Sequence, residues 1–135
     1  INQKDLMIIS HLAENTLQLV KVRDKLVTYV KSNMNQIAPN ISTVAGDTIG
    51  ARLIAKVGGI EQLARQSSST IQLLGAEKAL FRHMSDGSLP PKHGLLYQHP
   101  SVKKALRKDK GRVSRKLAAK VAIASKIEYY GDKND

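Results

Sequence analysis

Between Gln3 and Ile37 the chain has neither glycine nor proline, and its apolar residues recur in steps of three and four. Leu6, Ile9, Ala13, Val20, Val27, Val30, Met34 and Ile37 mark that seam, with Ile8, Leu12, Leu19, Val22 and Leu26 beside it. The period is that of a helix, and it predicts one uninterrupted rod roughly 50 Å long. Such a rod has more apolar surface than the compact remainder of the chain can cover. Part of it is expected to pair with another helix in coiled-coil fashion, the partner being either absent from this chain or a second copy. A helix packed wholly on its own domain is the alternative. The chain begins with Ile rather than Met, which reads as a fragment of a longer protein.

Pro39 is expected to end the rod, because proline disfavours helical geometry at the residue before it. That places a domain boundary near Ala38–Asn40. Ser42 is expected to cap a second helix running to Val57, where Gly58-Gly59 stops it. Gly46 and Gly50 would lie four apart inside that helix, at a close helix–helix approach. A short helix over Ile60–Gln66 follows, then a loop at Ser67–Thr70 and an extended or tightly turned Ile71–Leu74. Another helix is expected over Ala76–Ser85, an irregular loop over Gly87–Pro100, and two last helices over Ser101–Arg107 and Gly111–Glu128. The last would turn Val113, Leu117, Val121 and Ala124 inward. No strand pattern and no repeat is present, so the chain reads as all-α.

Composition narrows the chemistry. One Phe, four Tyr and no Trp leave an aliphatic, alanine-rich core, and the absence of cysteine excludes disulfides and thiolate metal sites. No apolar run reaches the length of a membrane span, and no signal peptide is visible. His11, His83, His93 and His99 have no metal-site spacing, and neither a nucleophile elbow nor a phosphate-cradling loop occurs. No catalytic, metal or cofactor site is therefore expected.

The net charge is +11, and it is local: residues 78–133 carry 14 Lys/Arg against four acids, residues 1–77 eight against six. Nine of the cations fall between Lys103 and Lys120, with Asp109 the single acid among them. Lys108, Arg112, Lys116 and Lys120 recur every four residues beside Arg115, and no carboxylate lies between Lys110 and Glu128. Like charges at that spacing repel by about 0.2–0.5 kcal/mol per pair in an isolated helix. A stripe without counter-charges points to an external polyanion, against the plainer reading of a solvated face. Sparse rings argue for recognition of a folded RNA through shape and backbone rather than for stacking on single-stranded bases.

Upstream stands Gly75-Ala76-Glu77-Lys78-Ala79-Leu80-Phe81-Arg82. Gly75 and Ala76 leave helix-start amides open to an anion or an unpaired base. Lys78 and Arg82 share one side of that helix, and Glu77 can favour the helix dipole or hold a neighbouring Arg. An ordinary capped helix with Leu80 and Phe81 buried explains the spacing equally well.

The octet resembles the signature of the Nop domain, and further words follow in family order: Ile37-Ala38-Pro39-Asn40, Gly50-Ala51-Arg52-Leu53-Ile54, Pro91-Lys92-His93-Gly94 and Lys110-Gly111-Arg112-Val113-Ser114-Arg115. The resemblance implies a coiled-coil helix over residues 1–38, a compact helical Nop domain over 39–131 and a tail over 132–135. It also implies a non-catalytic scaffold of the box C/D RNA-guided 2′-O-methylation ribonucleoprotein. Its partners would be box C/D guide RNA and a kink-turn-binding, ribosomal-protein-like protein, recognised jointly. Fibrillarin methyltransferase would dock on a region missing here, and the full protein would self-associate through the coiled coil. RNA-binding residues implied by the motifs are Gly75, Ala76, Glu77, Lys78, Arg82, Lys92, Gln98, His99, Lys110, Arg112, Arg115, Lys116 and Lys120. In a related spliceosomal member a histidine meets the RNA where Gln98 stands, whereas here His99 comes one position later. Residues 124–130, the Lys-His-Gly stretch and the lack of cysteine resemble archaeal members, implying a cytoplasmic protein, or a nucleolar one if eukaryotic. Two other readings are a splicing-type relative on a spliceosomal stem and a basic helical dimerisation module that binds any duplex.

Overall fold

The computed structural model describes residues 2–131; the expected tail at 132–135 lies outside them. Every regular element among the described residues is helical. The order is α1 (Gln3–Ile37), α2 (Pro39–Ala45), α3 (Asp47–Val57), α4 (Ile60–Arg65), α5 (Ser68–Leu73), α6 (Glu77–Asp86), a 3-10 turn (Leu95–Gln98), α7 (Pro100–Lys104) and α8 (Lys110–Tyr130). The all-α expectation is met.

α8 is the axis of the domain, with α2, α4 and α5 laid against it. Its inner face is built from small and aliphatic side chains, Ser114, Leu117, Ala118, Val121, Ala122, Ala124 and Ser125, which let three helices approach closely. Leu53, Leu63, Ile71, Leu96 and Val102 complete a core with no buried aromatic ring. α1 joins it only through its last turns, where Val30 packs on the core and Met34 is buried. Farther out the seam is open, Leu6 being 51% exposed and Val27 49%. Packing of the whole rod on its own domain is therefore not what the fold does.

The stretch expected as one helix over 42–57 is two. Pro39 excludes Ala38 from helical geometry but itself occupies the first turn of α2, where a missing N–H costs nothing. Ser42, expected as a cap, lies inside α2 and donates to the Met34 carbonyl (3.3 Å). Gly46 breaks the path with φ +87°, and a Cβ there would meet nothing within 4 Å. Only Gly50 marks a close approach: its Cβ would come within 3.0 Å of Met34 Cε and 3.1 Å of Ile41 Cγ2.

The serine run is not a loop either. Ser67 Oγ accepts from the Thr70 amide (3.2 Å) and caps α5, which buries Ile71 against α8. Capping plus one buried isoleucine outweighs the weak helix propensity of Ser and Thr. Phe81, expected in the core, is 64% exposed, because α6 turns Leu80 and His83 toward the domain and contributes no buried residue.

Candidate nucleic-acid interface

The signature turn is held from three sides. Gly75 has φ +93°, and a Cβ there would sit 2.8 Å from Leu95 Cγ. The Leu95 amide donates to the Leu74 carbonyl (2.7 Å), and Gln72 Nε2 donates to the Lys92 carbonyl (2.6 Å). Gly94 lies so close to the Leu74 carbonyl that any side chain there would collide with it. These contacts fasten the loop after α6 onto the turn before it.

Glu77 works inside this turn. Its Oε1 accepts from the Gly75 amide (3.1 Å) and pairs with Lys56 Nζ of α3 (3.5 Å). Its own amide, that of Gly75 and then Lys56 hold the carboxyl below the usual carboxylate range. The basic partner is a lysine from another helix, not a neighbouring arginine.

Beside the turn opens a concavity of about 300 Å³, walled by Gly75-Ala76, His93-Gly94, Tyr97-Gln98 and Arg52 of α3. The His93 and Tyr97 rings lie 4.7 Å apart at 34°. Lys110 Nζ stands 5.0 Å from the Tyr97 ring centre while donating to the carbonyls of Val102 (3.1 Å) and Lys103 (3.0 Å). The ammonium therefore closes the end of α7 and ties it to α8. Next to it the Lys92 side chain lies against Gly111, where a Cβ would come within 3.3 Å of Lys92 Cδ.

Sequence-predicted residues thus fall into groups. Gly75, Ala76 and Gln98 line the concavity, with Lys92 and Lys110 adjoining it. His99 does not share it: its Nδ1 accepts from the Ser101 amide (3.2 Å) and caps α7. Arg112, Arg115, Lys116 and Lys120 are exposed along the outer side of α8, Lys120 about 15 Å beyond Lys110 along the axis. Lys78 and Arg82 are exposed on α6. The contacts Gly75–Leu95, Tyr97–Lys110 and Lys92–Gly111 join the signature turn to the start of the cationic helix. Sequence reasoning missed Arg52, which pairs with no carboxylate among the described residues. Its signal was present: Arg52 and Lys56 are four apart on α3, and Lys56 reaches Glu77.

A family described as "Nop: snoRNA binding domain, fibrillarin" matches residues 1–135. The chain belongs to the Nop family. A NOP5 family protein of Methanocaldococcus jannaschii is 47% identical over 95% of this chain and 31% of its own length. Nucleolar protein 56 of Homo sapiens is 42% identical over 98% of the chain and 22% of its own length. The chain thus spans less than a third of these relatives. A solved fibrillarin/Nop5p complex contains a chain superposing with TM-score 0.72 at 30% identity, over 91% of this Nop domain and 46% of that chain.

Proposed function

We propose that this Nop domain is a non-catalytic scaffold that binds box C/D guide RNA jointly with a kink-turn-binding protein in a 2′-O-methylation ribonucleoprotein. The observation that carries the reading is the continuous face from the glycine turn, through the Tyr97 and Lys92 contacts, to the outer cations of α8. Rigid backbone and a concavity at one end suit an unpaired or sharply bent RNA segment. The cations along α8 suit the phosphates of the helical stem beyond it. Attachment to a fibrillarin methyltransferase belongs to the length of the relatives that this chain does not span, and self-association belongs to the open face of α1. In an archaeal cell the particle is cytoplasmic; in a eukaryote it is nucleolar, as the relative named nucleolar protein 56 suggests.

Electrophoretic mobility shift of a box C/D RNA carrying its kink-turn protein tests the reading. Arg112→Ala, Arg115→Ala and Lys116→Ala together should lower the magnitude of the log K against log salt slope by about 2 to 3, three phosphate contacts being lost. Unchanged ternary assembly, or equal affinity for an arbitrary duplex without the protein, would count against it.

A further inference from the structure

On the outer side of α8, Lys116 and Lys120 are followed by Ile123 and Ile127 in steps of four, three and four. One ridge therefore changes from cationic to apolar within two turns. Ile123 is 60% exposed and Ile127 54%, although both stand beside a well-packed core. They border a groove of about 320 Å³ between α8 and α2, whose other wall is Asn40, Thr43 and Val44 and whose upper end is Lys120. The carboxylate nearest this groove in sequence, Glu128, is already engaged, accepting from the Asn40 amide (2.8 Å).

We infer that this α2–α8 groove docks a protein held on the same RNA, through branched apolar side chains bordered by aspartate or glutamate. Charge decides the occupant's chemistry. Lys120 caps the groove and Lys116 and Lys126 flank it, so a matching surface supplies carboxylates at its rim and aliphatic groups at its centre. The groove is lined by no aromatic ring, hence it offers no platform for a base. Continuity decides its place: the RNA-facing cations run directly into the apolar pair, so an occupant here abuts the bound nucleic acid. The inference rests on the proposed function and adds where the second partner sits.

The test uses the full chain, box C/D RNA alone, and the same RNA loaded with its kink-turn protein. Ile123→Asn with Ile127→Asn should leave binding to RNA alone and its salt slope unchanged, and should weaken joining of the loaded RNA roughly tenfold or more, as loss of a central interface pair does. In the unsubstituted chain, the Ile123, Ile127 and Val44 methyl resonances should shift when the loaded RNA is added and not with RNA alone. Full-strength assembly by the double variant overturns the inference. Weakened binding to RNA alone does so too, since the groove is then an RNA surface, as does methyl shift with RNA alone. Failure of the unsubstituted chain to join the loaded RNA refutes the function and the groove together, whereas failure of the variant alone supports both.

Discussion

Gly75→Ala separates backbone strain from packing at the signature turn. An alanine at φ +93° carries a left-handed penalty of roughly 1–2 kcal/mol. Its Cβ would also stand 2.8 Å from Leu95 Cγ and 3.1 Å from the Leu95 amide nitrogen, so Leu95 must retreat from the Leu74 carbonyl it now contacts at 2.7 Å. Weakening that bond adds about 0.5–1.5 kcal/mol. The expected loss is therefore about 2–3 kcal/mol, or roughly 8–12 °C in melting temperature for a domain of this size. Gly87→Ala is the control: φ is +74° there and a Cβ meets nothing within 4 Å, so strain acts alone, at roughly 1–2 kcal/mol. Urea unfolding followed by circular dichroism measures both, with an unchanged m-value showing that only stability has moved. If Gly75→Ala costs no more than Gly87→Ala, the clamp between the turn and the 3-10 segment is not rigid, and the concavity has lost its structural basis.

Two further predictions concern α8. Lys110→Met removes two donors from the α7 carbonyls and the cation above Tyr97, and should cost about 1–3 kcal/mol in the same unfolding assay. Its effect on the RNA salt slope should be smaller than that of Arg112→Ala, and the reverse order would show that Lys110 neutralises a phosphate instead. Ser114→Ala removes a fully buried hydroxyl with no hydrogen-bond partner and should raise stability by about 1 kcal/mol; a destabilisation would mean that the hydroxyl is satisfied in solution.

Much of the fold was legible because helical period and breakers are local properties. α1 and α8 came within two residues of their bounds, and α4 within one. Gly46 misled because four-residue spacing from Gly50 is equally consistent with a helix interior and with a break, and only its positive φ distinguishes them. Ser67–Leu73 misled because a cap followed by six residues is too short for periodicity to register. Phe81 misled because composition made the sole phenylalanine a natural core residue, whereas α6 presents it outward.

The same division runs through the interface. From the sequence alone follow the all-helical class, the length of α1, the place where positive charge gathers and the signature words of the family. Each depends on residue identity and spacing along one chain. Tertiary structure decided which of those residues are free. Glu77 is spent on Gly75 and Lys56, Lys110 on the end of α7 and His99 on its start, while Arg52 enters from a distant helix and Ile123 and Ile127 remain uncovered. Whether a side chain is available to a partner depends on the donors and acceptors that the fold brings within about 3 Å of it, and those come from segments that no local period relates.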